Sequence, residues 1–251
     1  MKPKIGIIPG IIREEMAADL WGTLEWLASL GLQGVEGGAL ASGNIAENRR
    51  RAEALGLKTI SIGAKREQLV DDPDGLIRTA EALGAEHIVL FWAPCDDRDA
   101  LLRDAERYNK VGQACARVGL KFCYHNHDHE LLTRHGDQRA LEILMAETDP
   151  AAVHFEFDVA WLLYGQVDPA QYLAAHADRV ALIHLKDVAD LSERGQFTAI
   201  GTGLVDVPAV LAVCEEHGIP WAVIEQDRPR NLSPRDSVLA SVLNLKELGW
   251  M

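Results

Sequence analysis

The segment VALIHLKD at residues 180–187 is a short run of β-branched and apolar residues that ends in polar side chains. The segments LKFCYHNH at 120–127, VHFEFDV at 153–159 and WAVIEQD at 221–227 have the same form. Runs of this length and composition indicate buried β-strands. Because side chains two residues apart lie on the same face of a strand, the polar residues of each segment are expected to point to one side where the strand ends.

Strand and helix patterns alternate along the whole chain. Four further strand patterns precede those segments, at residues 4–10, 34–38, 57–63 and 86–92. Amphipathic stretches such as RDALLRDAERYNKVGQACARVG at 98–119 separate the eight strands. Eight strand–helix units in 251 residues match the length of a (β/α)₈ barrel. We therefore predict an α/β fold, a (β/α)₈ TIM barrel that covers residues 1–251 as a single domain.

The barrel also predicts where the polar strand ends lie. Catalytic groups of such barrels are found at the C-terminal ends of the strands. Apolar neighbours such as Ile183, Leu185 and Ile224 should face the helices, so that the polar rows converge on the barrel mouth. A doubly wound open sheet is the main alternative, but it usually carries a glycine-rich phosphate loop after its first strand. IIPGIIREE at 7–15 contains neither GxGxxG nor a Walker pattern.

Composition limits the partners and the location of the protein. The formal net charge of −13 and the lack of a Lys/Arg cluster among aromatics disfavour a nucleic-acid partner. MKPKIGIIPG lacks a signal-peptide apolar region and no run of about 18 apolar residues occurs, so we expect a cytoplasmic protein without a membrane partner. The four cysteines form no CxxC pair, so neither a disulfide framework nor a thiolate zinc site is predicted.

Acid and imidazole side chains lie at or just past the ends of the last four strand patterns. They are Glu130, Asp158, His184 and Glu225. Charged residues are rarely buried unless they are paired or bind a metal, so a barrel that gathers them at one end is expected to hold a cation. Three carboxylates and one neutral imidazole suit Mn²⁺, Co²⁺ or Mg²⁺ better than a structural zinc ion. We predict that these four residues bind one divalent metal.

Five motifs occur in order along the second half of the chain. They are YHNHDHE at 124–130, FEFDVAW at 155–161, IHLKD at 183–187, GTGLVDVPAV at 201–210 and VIEQD at 223–227. With these motifs at barrel spacing, the chain resembles the sugar phosphate isomerase/epimerase family, the xylose isomerase-like TIM barrels. The resemblance spans nearly the whole chain and implies one divalent metal. Mn²⁺ is the expected ion, with Co²⁺, Mg²⁺ or Zn²⁺ as alternatives.

The resemblance places the metal between residues of strands five to eight. Asp158, His184 and Glu225 match the family pattern directly. Many relatives have Glu in a sequence like ENH where this chain has His125 and His127 around Asn126. Glu130, His125 and Glu156 therefore remain open as the fourth ligand, with Glu130 as the first choice.

The resemblance also implies a reaction and its catalytic residues. Relatives isomerise or epimerise sugars by moving a proton next to a carbonyl group, through an enediolate that the metal stabilises. Glu225 is the expected acid/base and His127 a second base. Lys186 is expected to stabilise negative charge, and Glu130 to assist at the metal.

Other residues near the strand ends are expected to bind the substrate, a small carbohydrate. Trp92 and Trp161 would form apolar walls, and His125 and Glu36 would contact hydroxyl groups. The glycines of GTGLVD at 201–206 either bring backbone amides to a substrate, as in barrel phosphate sites, or form a turn before the next helix.

Two other activities are compatible with the motifs. The first is a dehydratase or lyase acting on an inosose or a 3-keto-glycoside, in which the enediolate expels a β-substituent. The histidine-rich segment at 125–127 favours it slightly. The second is an apurinic-site nuclease, which Trp161 and the acidic net charge oppose. The resemblance further implies assembly into a homodimer or homotetramer.

Overall fold

The predicted barrel of eight parallel strands is present in the computed structural model, which describes residues 1–228 and 230–251. The strands are β1 Lys4–Ile7, β2 Gly34–Glu36, β3 Lys58–Ala64, β4 His87–Leu90, β5 Lys121–His125, β6 Val153–Asp158, β7 Val180–Leu185 and β8 Trp221–Ile224. Each strand pairs with its neighbour in sequence, and β1 pairs with β8 to close the barrel. The C-terminal ends of all eight strands therefore meet at one mouth.

Helices follow the strands as the amphipathic patterns predict. The α-helices are α1 Arg13–Ala18, α2 Leu20–Ser29, α3 Ile45–Ala54, α4 Gln68–Asp71, α5 Pro73–Leu83, α6 Arg98–Ala116, α7 His129–Leu132, α8 Ala140–Glu147, α9 Val159–Tyr164, α10 Pro169–Ala175, α11 Val207–His217 and α12 Pro234–Glu247. Short 3₁₀ helices span Pro9–Ile12, Gly38–Leu40 and Ala177–Arg179. In the described ranges, no helix is both long and apolar enough to cross a membrane.

Two short antiparallel ribbons lie outside the barrel wall. One pairs Arg134–His135 with Gln138–Arg139, and the other pairs Asp187–Val188 with Phe197–Thr198. The second ribbon begins two residues after β7 ends, so it stands at the barrel mouth. It shapes the long loop between β7 and α11.

Side-chain alternation divides the apolar residues into two cores. Val89, Cys123, Leu182 and Val223 belong to the core inside the barrel. The core between the barrel wall and the helices includes the predicted outward residues Ile183, Leu185 and Ile224. Because residues two apart share a face, the inward rows continue past the interior core to the polar residues at the strand ends. The alternation places those polar side chains over the barrel axis.

Candidate active site

Four side chains meet at the C-terminal mouth of the barrel. They are His125 of β5, Asp158 of β6, His184 of β7 and Glu225, which directly follows β8. One ligand atom from each lies within 4.8 Å of the others. The Nδ1 atom of His184 is 2.8 Å from Oε2 of Glu225, and Nε2 of His125 is 4.0 Å from Oδ2 of Asp158. The structure thus brings together three of the four predicted ligands, Asp158, His184 and Glu225, with His125 as the fourth residue. We call this set the ligand group.

Glu130, the first choice for the fourth ligand, lies outside the ligand group. It belongs to the first turn of the short helix α7, which carries it back onto its own strand. Its Oε1 atom accepts a hydrogen bond from the Tyr124 hydroxyl at 2.7 Å, and Oε2 accepts from the backbone N–H of His127 at 2.8 Å. Burial raises the pKa of this carboxyl. His125 takes the fourth place, and Glu130 instead lies with His127 and His129 in an adjoining cluster.

The two carboxylate oxygens of Asp158 have different roles. Its Oδ1 atom accepts hydrogen bonds from the backbone N–H groups of Ala160 and Trp161, both at 2.9 Å, and so caps helix α9. Its backbone N–H donates to Oδ1 of Asn126 at 3.1 Å. Oδ2 is thereby left facing the ligand group. An N-cap carboxylate is a common way to begin a helix, and here the cap also fixes a candidate ligand.

Each imidazole of the ligand group contacts a buried carboxylate on its far side. Nδ1 of His125 pairs with Oε2 of Glu156 at 2.9 Å. Nε2 of His184 pairs with Glu36 and lies 3.3 Å from Oε2 of Glu156. This leaves Nε2 of His125 and Nδ1 of His184 directed at the carboxylates of the ligand group. Metal-binding histidines usually have such a carboxylate behind them, which fixes the tautomer and the ring orientation.

The donor set fits a divalent metal. Two imidazole nitrogens and two carboxylate oxygens lie close together. In each imidazole, the nitrogen that points away from the ligand group is paired with a buried carboxylate. With two nitrogen donors instead of the predicted one, the set suits borderline ions such as Zn²⁺, Co²⁺ or Mn²⁺ better than Mg²⁺. His125, Asp158, His184 and Glu225 are therefore the residues that would hold the ion.

A lysine lies at the centre of the acidic mouth. The Nζ atom of Lys186 is 2.9 Å from Oε2 of Glu225, 2.7 Å from Oδ2 of Asp227 and 3.4 Å from Oδ2 of Asp158. Burial lowers the pKa of this ammonium, but the three carboxylates outweigh burial and raise it. Lys186 is therefore protonated and balances the charge of carboxylates that would otherwise be buried without a cation.

The pKa values of the ligand residues shift in different directions. Burial raises the pKa of Asp158 to about 7, against the opposing effect of Lys186. Burial also acts to raise the pKa of Glu225, but Lys186 and His184 outweigh it and hold that pKa well below its usual range. For His184, burial is outweighed by Glu156, Glu225 and Glu36, which raise its pKa. The mouth thus holds the negative Glu225 carboxylate in contact with the positive Lys186 ammonium and the His184 imidazole.

His127 provides a neutral imidazole beside the ligand group. Its ring centroid is 5.0 Å from that of His125 and 5.2 Å from that of Trp161. Burial, and then Lys186, lower its pKa to about 4, so the ring is neutral near pH 7. Its Nδ1 atom is buried and has no hydrogen-bond partner within residues 1–228 and 230–251. His127 is therefore suited to accept a proton or to bind a hydroxyl group.

The predicted tryptophans occupy different positions. Trp161 is buried, and its ring is contacted by the cations of Lys186 at 5.2 Å and Arg194 at 4.4 Å. It lies at the mouth beside His127, and its role as a wall for the substrate stays a prediction. Trp92 is 58% exposed and packs beside His129, with ring centroids 5.9 Å apart. It lies on the rim rather than against the ligand group.

The structure places Glu36 beneath His184, with both of its carboxylate oxygens already paired. One of its oxygens accepts from the Ser61 hydroxyl and the other pairs with His184, and the residue is 1% exposed. Phe91, which directly follows β4, is an aromatic residue that reaches the ligand group, with its ring centroid 5.6 Å from that of His125. Alternation could have found it, because Phe91 is two residues after the inward-facing Val89.

The glycine-rich loop after β7 forms a turn and does not present its amides to the mouth. Oδ2 of Asp187 accepts from the N–H groups of Gly201 and Gly203, both at 2.9 Å. Oδ1 accepts from Val188 and Val205 at 2.8 and 3.0 Å. The amides that a phosphate group would need are therefore used within the protein.

We expect Glu156→Leu to weaken Mn²⁺ binding by about 10- to 100-fold, the usual effect of losing a residue that supports a metal ligand. The leucine leaves Nδ1 of His125 without its buried partner, so the imidazole loses its orientation. Calorimetric titration with Mn²⁺ measures the affinity. Glu156→Gln is the matched control, because it keeps an oxygen that accepts from His125 and should lose less. Equal affinities of the leucine variant and the unmodified protein would remove Glu156 from this role.

Comparison with known proteins agrees with the fold. Residues 24–248 match the family model described as the xylose isomerase-like TIM barrel. The chain belongs to this family. A crystal structure of a sugar phosphate isomerase/epimerase from Parabacteroides distasonis superposes with a TM-score of 0.83 and 20% identity, over 100% of this chain and 98% of the other. The IolI protein, crystallised with a zinc atom, superposes with a TM-score of 0.77 and 13% identity over 99% and 98%. At these identities the structural matches show the fold alone.

Curated relatives of this xylose isomerase-like barrel include dehydratases. An inosose dehydratase of Geobacillus kaustophilus is 31% identical over 136 residues, which is 48% of this chain and 43% of the relative. Inosose dehydratases from other bacteria match at similar identity. The chain spans about half the length of the curated relatives it matches.

Proposed function

We propose that the protein is a metal-dependent lyase that eliminates water from a cyclic keto-polyol of the inosose class. The observation that carries the proposal is the meeting of four ligands, a neutral imidazole and a protonated lysine at one barrel mouth. The names of the curated relatives support dehydration over the isomerisation that the motifs first suggested. The zinc atom bound by IolI, which has the same fold, supports a divalent ion in this protein.

The chemistry divides between the ion and the side chains of this chain. A divalent ion held by the ligand group would polarise the substrate carbonyl and stabilise negative charge on its oxygen. His127 takes the proton from the carbon next to the carbonyl. The C–H electron pair forms a double bond to the carbonyl carbon, and the carbonyl π pair moves onto oxygen to give the enediolate. The oxygen pair then re-forms the carbonyl, and the pair of the enediolate double bond shifts to the α,β bond while the β-hydroxyl leaves. Lys186 donates a proton to the leaving oxygen, so that one water is released.

The site favours an unphosphorylated substrate. Asp187 accepts the loop amides that could otherwise bind a phosphate. Lys186 is paired with carboxylates, and Arg194 forms a two-point ion pair with Asp128 at 2.7 and 2.8 Å. A neutral polyol requires none of these cations for charge balance.

Isomerisation or epimerisation is the second candidate function. Glu225 is 16% exposed at its side chain, whereas the other ligand residues are buried, so its carboxylate has access to a bound substrate. Return of the proton from His127 to the neighbouring carbon of the enediolate, with the ionised Glu225 carboxylate accepting the proton of the adjacent hydroxyl group, would isomerise the substrate instead of dehydrating it. The two reactions share every step up to the enediolate.

One experiment separates these reactions. The protein is loaded with Mn²⁺ and incubated with an inosose in deuterated water, and the products are analysed by mass spectrometry and ultraviolet absorbance. Dehydration gives a product that has lost one water and absorbs as a conjugated ketone. Deuterium in an isomeric product without loss of water would establish the epimerase instead. Recovery of unlabelled inosose with every metal tested would overturn both functions for this substrate class.

A further inference from the structure

A cavity of about 700 Å³ opens at the barrel mouth on the side of strands β1 to β4. Its inner wall is made by residues at the ends of these strands. Ile8 follows β1, Glu36 ends β2, Gly63 lies near the end of β3 and Phe91 follows β4. The cavity is thus part of the same face of the barrel as the ligand group.

The cavity and the ligand group share a boundary. The Phe91 ring centroid lies 5.6 Å from that of His125 and 6.0 Å from that of His184. Glu36, in the same wall, pairs with His184. Phe91 and Glu36 thus lie between the ligand group and the cavity, and a substituent on a ring bound at the ligand group would reach the cavity past Phe91.

The walls of the cavity are mainly apolar. Ile8, Pro9, Met16, Leu20 and Phe91 line it, and its polar side chains are Glu36, Ser42 and the exposed Arg13. Glu36 has both oxygens occupied by Ser61 and His184. On the largely apolar walls, most hydroxyl groups of a polyol would lose water without gaining a partner, which is unfavourable. The ring itself belongs at the polar ligand group, and the cavity suits an apolar group.

The size of the cavity allows a substituent beyond the ring. Its volume falls in the range that holds drug-sized ligands, which is more than a single small polyol ring requires. A Cβ atom added at Gly10 or at Gly38 would have no other heavy atom within 4 Å, so the space beside both glycines is open. Neither glycine has a positive φ, so both positions accept other residues.

We propose that this cavity is a binding subsite for an aryl substituent on the keto-polyol substrate. The proposal rests on the proposed function for the position of the ring at the ligand group. Phe91 offers a ring for edge-to-face or stacked contact, and Met16 offers a thioether, which contacts aromatic rings favourably. The substrate class is then a keto-polyol that carries an apolar aromatic group, with its polar ring at the ligand group and its aryl group in the cavity.

The test compares an inosose with its mono-O-phenyl ether. We expect the unmodified protein to show a kcat/KM at least about tenfold higher for the phenyl ether, because the aryl group buries apolar surface in the cavity. Gly10→Leu and Gly38→Leu each place a larger side chain on the lining of the cavity, at two separate positions. Both variants should lose the preference for the phenyl ether and keep their kcat/KM for the inosose. Thermal denaturation confirms that each variant is folded.

Calorimetric binding of the phenyl ether separates this subsite from the proposed function. Binding that weakens in Gly10→Leu and Gly38→Leu, with no product formed, would support the subsite while the dehydratase function fails. Turnover of the inosose without a phenyl preference, or a preference that survives in both folded variants, would overturn the subsite while the dehydratase function stands.

Discussion

Glu225→Gln is expected to weaken Mn²⁺ binding by more than about 100-fold, beyond the loss usual for residues that only support a ligand. Oε2 of Glu225 accepts from Lys186 at 2.9 Å and lies 2.8 Å from Nδ1 of His184, so this atom connects the lysine to the ligand group. The amide is isosteric but neutral. It keeps the shape of the site and removes the negative charge that a divalent ion needs.

The same variant is expected to lower kcat by about 10²- to 10⁴-fold, the usual range for a lost acid or base, because the polarising ion is no longer held in place. Titration with Mn²⁺ and turnover of an inosose measure the two effects. Glu216→Gln, at an exposed position of α11, is the matched control and should leave both unchanged. A Glu225→Gln protein that binds the ion and turns over normally would remove Glu225 from the site.

Lys186→Met is expected to destabilise the metal-free protein by about 3 to 5 kcal/mol, the usual cost of breaking a buried ion pair. The methionine has a similar length but no charge, so the carboxylates of Asp158, Glu225 and Asp227 lose the cation at their centre. A divalent ion bound by Asp158 and Glu225 would replace part of that charge. Metal should therefore stabilise this variant more than it stabilises the unmodified protein.

For Lys186→Met, denaturant unfolding with EDTA measures the loss of stability without the ion. Unfolding with excess Mn²⁺ measures how much the ion stabilises the variant. Lys121→Met, at an exposed position of β5, controls for the loss of a surface lysine and should change neither. A variant as stable as the unmodified protein in EDTA would mean that the carboxylates do not depend on Lys186. Turnover should also fall in Lys186→Met even with the ion bound, because the donor to the leaving oxygen is missing.

The barrel and most of its polar mouth were predictable because alternation is a local property of the chain. Eight short apolar runs separated by amphipathic stretches determine the fold class, and residue parity brings Asp158, His184 and Glu225 to the same face. The same parity indicates Phe91 and not Trp92 as the inward aromatic residue after β4, because Phe91 lies two residues after Val89.

The choice between His125 and Glu130 could not be made from the sequence. The two residues are five positions apart across the end of β5, and their separation depends on the path of the backbone between them. A single turn of α7 folds Glu130 back against Tyr124, whereas β5 continues to His125 and carries its ring to the mouth. Likewise, the burial of Glu36 depends on the neighbouring strand, because Ser61 of β3 and His184 of β7 hold it from two directions.

The cap that Asp158 makes on helix α9 determines how the site would receive an ion. Its Oδ1 atom is held by two N–H groups of the helix, so its Oδ2 atom cannot rotate away when no ion is bound. The coordinating oxygen is thus aligned beforehand, and ion capture requires little loss of conformational entropy at this residue. We expect the speed of loading to be limited by the shedding of water from the ion and by displacement of the Lys186 ammonium, not by rearrangement of the backbone.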